Sequence, residues 1–230
     1  MAVEPASADP LADRLHGVQS SIADAARAAG RSPAELTTIV VTKFHGADLV
    51  RALFTLGVRD FGENRHQEAS AKAAELRDLD LRWHFIGQLQ SNKAAAVTEY
   101  AHLIHSIDRE SVVAAVDGVA VPIEVFIQLN LTNDPGRGGV DGANLEALTD
   151  SVLAANHIRL LGLMAVAPLD EEPRRAFATV RQASERLQRL APQASALSIG
   201  MSADYREAIL EGATHLRIGT AITGNRPPHG

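Results

Sequence analysis

Lys43 directly follows an apolar, β-branched run, Leu36–Thr42 (LTTIVVT). The chain has three lysines, Lys43, Lys72 and Lys93, and arginine supplies the rest of its positive side-chain charge. Lys72 falls in a polar helical stretch and Lys93 at the start of another, both places where an ammonium stays in water. A lysine at the end of a buried strand stands at the rim of the core. Desolvation there lowers its pKa, and a neutral amine attacks an aldehyde to form a Schiff base. The plainer alternative is a lysine that lays its stem along the strand end and keeps its charge in solvent. Position by itself favours that alternative.

A second group of candidates lies near the C-terminus. Ser202 falls at the expected N-cap of a helix opening at Asp204, where a hydroxyl and free backbone N–H groups make an anion site. Gly219-Thr220 places a close-approach glycine beside another hydroxyl. A capping serine and a structural glycine explain both equally well. Arg217 is a charge inside an apolar strand, HLRIGTAI, and a buried arginine needs a partner. That partner is either a neighbouring carboxylate or a ring atom of a ligand. His84 could shuttle a proton, although a core histidine with a satisfied hydrogen bond is the plainer reading. The loop Pro135–Gly139 (PGRGG) could wrap a phosphate or be an ordinary mobile loop. Glu63 and Asp108 could act as acid or base, but nothing in the sequence pairs them. The nine histidines include no His-x-x-x-His pair, and there is no cysteine, so disulfides, thiol catalysis and a Cys-ligated metal are excluded and no metal site is expected.

These residues need a frame. Strand-like runs recur at Leu36–Thr42, Val58–Gly62, Arg82–Gly87, Leu103–Ile107, Ile123–Asn130, Ile158–Val166, Leu197–Met201 and His215–Thr220. Helical stretches lie between them, and one more spans Leu11–Ala29 ahead of the first. Short apolar strands in strict alternation with helices read as buried parallel strands. Eight of them predict an α/β fold: a single-domain (β/α)8 barrel of TIM type with an extra N-terminal helix. An open doubly wound sheet is the rival. The barrel is expected over residues 10–226, after a disordered tail at 1–9. In such a barrel chemistry gathers where strands end, and phosphate binds at the loops after strands seven and eight.

Bulk properties agree. The 230 residues suit one sizeable domain, and 46% hydrophobic content supports a real core. The net charge of −6 argues against a sequence-blind nucleic-acid binder. No signal peptide and no membrane-spanning run is recognisable, and together with the missing cysteines this points to a cytoplasmic protein, expected to be a monomer.

Several segments together resemble a known family. They are VVTK (40–43), FGEN (61–64) with Gln67-Glu68, WHFIG (83–87), LQSNK (89–93), HSID (105–108), LGLM (161–164), LSIGMS (197–202) and RIGTA (217–221). Their ordered set, over about Leu36–Gly224, is similar to the pyridoxal phosphate homeostasis protein family, related to the N-terminal domain of alanine racemase. The resemblance implies a barrel that carries pyridoxal 5′-phosphate (PLP) as a Schiff base on Lys43. It places the phosphate near Ser202, Gly219 and Thr220, sets Arg217 toward the pyridine nitrogen, and puts Asn64, His84 and Met201 around the ring. It implies no catalytic set and no robust catalysis, with apo PLP-dependent enzymes as the partners that receive the cofactor. The chain departs from the pattern at Phe44, at Arg65-His66 and in the loop 134–139. Two competing functions share the same lysine: a PLP-dependent amino-acid racemase of narrow activity, and a cofactor-free Schiff-base aldolase acting on a phosphorylated sugar.

Overall fold

The computed structural model describes residues 10–132, 134 and 136–225; the tail expected at 1–9 lies outside them. Eight parallel strands close into a barrel in sequence order: β1 (Thr37–Val41), β2 (Asp60–Glu63), β3 (Arg82–Phe85), β4 (Leu103–Ile107), β5 (Ile123–Gln128), β6 (Ile158–Met164), β7 (Ala196–Met201) and β8 (His215–Ile218). The closing pair is β1 with β8, registered Thr37 to His215 and Ile39 to Arg217. The open-sheet rival is thereby excluded.

Helix α1 (Pro10–Ala28) precedes β1 and buries Leu11, Leu15 and Ile22. The helices that follow are α2 (Ala47–Thr55), α3 (His66–Glu75), α4 (Ala94–Thr98), α5 (Glu110–Asp117), α6 (Leu145–Leu153), α7 (Pro173–Leu190), α8 (Tyr205–Leu210) and α9 (Thr220–Thr223). In α7, Pro173 sits in the first turn and the Glu172 carboxylate accepts the Arg174 and Arg175 amides. Proline costs nothing there, because that turn has no intrahelical use for its N–H.

Strand side chains alternate between two environments. Val40, Phe61, Trp83, Ile104, Val125 and Leu163 join the apolar layer between sheet and helices. The barrel interior holds a smaller apolar cluster, Leu103, Phe126 and Met164. Its remaining interior volume is polar, filled by residues such as His84, His105, Ser198 and Arg217, all at most 4% exposed.

Most strands end one or two residues from the expected bounds, and three differences bear on the site. The last strand stops at Ile218, and Thr220 opens α9 instead of continuing the strand. The stretch 91–100 divides into a 3-10 turn at Ser91–Lys93 and the short α4. Strand β2 runs on to include Glu63.

At Gly162 the backbone has φ +153°, and the pairing of β5 with β6 slips by one residue. A Cβ there would lie 1.9 Å from the Ala196 carbonyl oxygen. Only glycine fits this bulge. Gly162→Ala is expected to cost about 2–4 kcal/mol from overlap and backbone strain together, read as a lower urea midpoint. An unchanged midpoint would mean that the bulge relaxes freely.

Candidate functional site

A cavity of about 310 Å³ opens at the C-terminal end of the strands. Seven of the eight predicted site residues line it: Lys43, Asn64, Met201, Ser202, Arg217, Gly219 and Thr220. Val41, Ile86, Met164, Val166 and Ala203 supply apolar walls. These side chains carry no polar chemistry themselves, so the sequence offered only their position as a clue.

Lys43 follows β1, two residues after its last paired position, Val41. Sequence position suggested a side chain at the rim of the core, but Lys43 is exposed on the open side of the cavity. Its backbone is held firmly. The Thr42 carbonyl accepts the His45 amide at 3.1 Å and Lys72 Nζ at 2.8 Å. Phe44 sits at φ +69°, a region disfavoured for a bulky side chain, and its amide donates to Glu68 Oε2 at 3.0 Å.

Lys72 corrects the expectation that it is solvated. It is 7% exposed and donates to Glu63 Oε1 at 2.6 Å. The Thr42 hydroxyl donates to the same oxygen at 2.6 Å. Burial raises the Glu63 carboxyl above its ordinary range, with Lys72 and then Thr42 opposing. This pair lies beneath the Lys43 backbone. Glu63 ends β2 and Lys72 lies on the helix that folds back over it, so βα packing was the clue that would have paired them.

Arg217 lies 4% exposed at the inner wall. It donates to the Ser198 carbonyl and, at 2.7 Å, to the Ser198 hydroxyl; its other terminal nitrogen donates to the Ala165 carbonyl at 2.8 Å. Neutral oxygens thus hold the guanidinium; of the two partners the sequence offered, a carboxylate or a ligand ring atom, no carboxylate bonds to it among the described residues. Burial lowers its pKa to about 10, with Asp204 opposing, so it remains a cation at neutral pH.

Ser202 is not the N-cap of α8. Asp204 takes that position, and its Oδ1 accepts the Met201 amide at 2.6 Å. Ser202 instead stands in the turn between β7 and α8. Gly219 caps α9, so Thr220 begins a helix whose first amides have no intrahelical acceptor. Asn64 follows β2, and its buried Oδ1 has no hydrogen-bond partner among the described residues.

His84 is the one predicted residue outside the cavity lining. It is 1% exposed inside the barrel, bonded to Asp60 and His105. It does not line the cavity in which the other seven meet. Lys93 lines a separate hollow of about 220 Å³ beside Arg65 and His66. A wider hollow of about 490 Å³ at the opposite end of the barrel is lined by Arg82, His102, Glu124 and Arg159, with no lysine among its lining residues. Among the described residues no His, Asp or Glu cluster forms a metal site.

The donor set fits a phosphorylated aldehyde that carries a flat ring. An accessible amine meets an aldehyde, hydroxyls and free amides at two loops meet a phosphate, a fixed cation meets a ring acceptor, and apolar walls take a flat ring. The unpartnered Asn64 oxygen adds a polar atom of the same wall that the protein leaves unused.

Comparison with known proteins agrees with this geometry. Residues 18–227 match the family described as alanine racemase, N-terminal domain. The pyridoxal phosphate homeostasis protein of Pseudomonas aeruginosa PAO1 is 39% identical, over 94% of this chain and 96% of its own. That of Mycobacterium tuberculosis H37Rv is 37% identical, over 94% and 93%. The structure of PipY of Synechococcus elongatus PCC7942, solved with PLP bound, superposes with a TM-score of 0.82 at 37% identity, covering 93% of this chain and all of PipY. The chain belongs to the alanine racemase N-terminal domain family, and within it to the pyridoxal phosphate homeostasis proteins.

Proposed function

We propose that this chain binds PLP in the cavity at the C-terminal end of its barrel, as a Schiff base on Lys43, and serves intracellular PLP homeostasis without robust catalysis of its own. One observation carries the reading: Lys43, Arg217 and the hydroxyls of Ser202 and Thr220 share one cavity at the phosphate-binding end of the fold. When bound, the cofactor supplies an aldehyde that condenses with an amine.

The chain's own groups do the rest. Lys43 is the amine. Ser202, Thr220 and the amides that follow Gly219 receive the phosphate. Arg217 would donate toward the ring nitrogen and keep it unprotonated, which would weaken the cofactor as an electron sink. Met164 and Val166 wall in the ring.

Two features favour holding over catalysis. Lys43 is exposed, and Met201 is 36% exposed, so water and competing amines reach the site. Catalytic sites for carbanion chemistry exclude water. Besides Lys43 and Arg217, the cavity lining includes no titratable side chain among the described residues. His84, the residue best suited to that task, is committed inside the barrel. Two-base racemisation therefore has one base.

The same exposure suits release to apo PLP-dependent enzymes. No helix among the described residues is long and apolar enough to cross a membrane. The absence of cysteine suits a cytoplasmic location, and we propose that the protein acts there as a monomer.

Loaded protein incubated with L-alanine in deuterium oxide is expected to give no α-deuterium beyond that produced by free PLP. Catalytic incorporation with appearance of the D-enantiomer would replace the carrier by a narrow racemase.

A further inference from the structure

The barrel interior contains an unbroken line of hydrogen bonds between its two ends. Arg217 donates to Ser198 Oγ at 2.7 Å. Ser198 Oγ meets His105 Nδ1 at 2.8 Å. His105 Nε2 meets His84 Nδ1 at 3.0 Å. His84 Nε2 meets Asp60 Oδ1 at 2.9 Å. His84 is 1% exposed, and His105 and Ser198 are 0% exposed. Phe126 stacks on His105, with centroids 4.6 Å apart, and fixes its ring plane. Asp60 opens β2 at the N-terminal end of the barrel, and Arg217 lines the cavity at the other end.

The two ends determine every proton between them. A guanidinium only donates and an ionised carboxylate only accepts. Burial lowers the pKa of both histidines, that of His105 well below its ordinary value, so each carries one proton. With one proton each, a single arrangement gives every contact one donor. Ser198 donates to His105 Nδ1, His105 Nε2–H to His84 Nδ1, and His84 Nε2–H to Asp60. Adding a proton to His84 reverses part of the chain. His84 then donates at both nitrogens, His105 becomes the Nδ1–H tautomer, and Ser198 loses its acceptor while receiving from two donors.

We infer that Asp60, His84, His105 and Ser198 form a through-barrel relay that positions Arg217 and transmits to it the protonation state of the far end. They are positioning residues, because none lines the cavity. The claim that this matters for cofactor retention rests on the proposed PLP site. The far end sits in a charged setting. Arg82 on β3 approaches Asp60 at 3.9 Å and Glu124 on β5 at 3.8 Å. Arg159 on β6 pairs with the same glutamate. His102 ahead of β4 adds to the field that disfavours a proton on His84. His215 on β8 faces Phe126 at 5.1 Å and His105 at 6.3 Å. Its pKa is lowered to about 4, chiefly by burial and next by His84. Asp60 is held below its ordinary range because the His84 bond and then Arg82 outweigh burial.

The test begins with the protein free of cofactor. Nitrogen-15 spectra of labelled histidines should show His84 and His105 as neutral Nε2–H tautomers. In Asp60→Asn the amide can donate to His84, and both tautomers should reverse, including the one at His105. An Nδ1–H tautomer in the parent, or an unchanged His105 signal in the variant, overturns the relay. The parent spectrum decides this even if the variant fails to fold.

PLP affinity is then measured by absorbance across pH. Asp60→Asn and Ser198→Ala should each weaken it by roughly 2- to 30-fold, the range for coupling through a packed network. Asp60→Asn should also move the acid limb of the profile, which a purely local packing change would leave in place. Affinity and profile unchanged in both variants would overturn the coupling to Arg217. A parent with the assigned tautomers that takes up no PLP would support the relay and overturn the proposed function instead.

Discussion

Lys43→Ala, incubated with PLP and desalted, is expected to emerge colourless, while the parent keeps the yellow absorbance of a Schiff base at about one equivalent. Borohydride should fix the cofactor to the parent, and peptide mapping should find it on Lys43. The other two lysines make this decisive. Lys72 is buried and bonded to Glu63 and to the Thr42 carbonyl, so its amine has no room for an aldehyde. Lys93 lines a different hollow, beyond Asn64 from the cavity. Label on Lys93 would move the site to that hollow. Colour in both proteins would show binding without Lys43. No colour in either would remove the cofactor and leave a lysine that condenses with a carbonyl substrate, as in a cofactor-free aldolase. The variant should fold normally, because Lys43 is exposed and its backbone contacts are made by Thr42, Phe44 and His45.

The barrel was legible because its cues are local. TTIVV in β1 and IEVFIQ in β5 are dense in β-branched and aromatic residues, and the helices between them keep their own period. Lys43, Ser202 and Gly219 could be placed at strand ends by counting. What failed depended on facing. Thr220 looked like a continuation of β8, yet Gly219 breaks the strand with φ −107° and ψ −100° and starts a helix. Lys72 looked solvated because its helix, HQEASAKAAE, is polar on most sides. Which side packs on β2 is a tertiary fact, and Lys72 is on that side. His84 alternates correctly into the barrel, but its depth along the strand, and so its separation from the cavity, depends on the tilt of the closed sheet. The family resemblance placed it around the ring; in the structure it is bonded inside the barrel and does not line the cavity.

Lys72→Met is the substitution expected to damage the fold most. Among the described residues it removes the only cation bonded to Glu63, whose side chain is 1% exposed. The carboxylate would keep a single donor, the Thr42 hydroxyl, and its Oε2 already has no partner among the described residues. Breaking a buried pair from one side costs about 3–5 kcal/mol, because the remaining charge is stranded. Removing both charges should cost much less, so Glu63→Leu combined with Lys72→Met should recover a large part of the loss. Equal destabilisation of the single and double variants would show that methylene packing, not charge, is at stake.

The pH dependence gives a second reading of the same variant. Burial already holds the Glu63 pKa above its unfolded value, and Lys72 is the largest influence against it. Without Lys72 that pKa must rise further. A carboxyl with a raised folded pKa binds more protons folded than unfolded, so stability falls as pH rises through that value. The deficit of Lys72→Met against the parent should therefore be small near about pH 5 and widen toward about pH 8, measured as urea midpoints. The reverse trend would mean that Glu63 is ionised without difficulty in the variant, and that the pair is not the buried charge taken here. The loss should reach the cofactor as well. Lys72 Nζ holds the Thr42 carbonyl, one residue from Lys43. A Lys72→Met protein kept folded at low urea should bind PLP more weakly than the parent, with Lys43 itself intact.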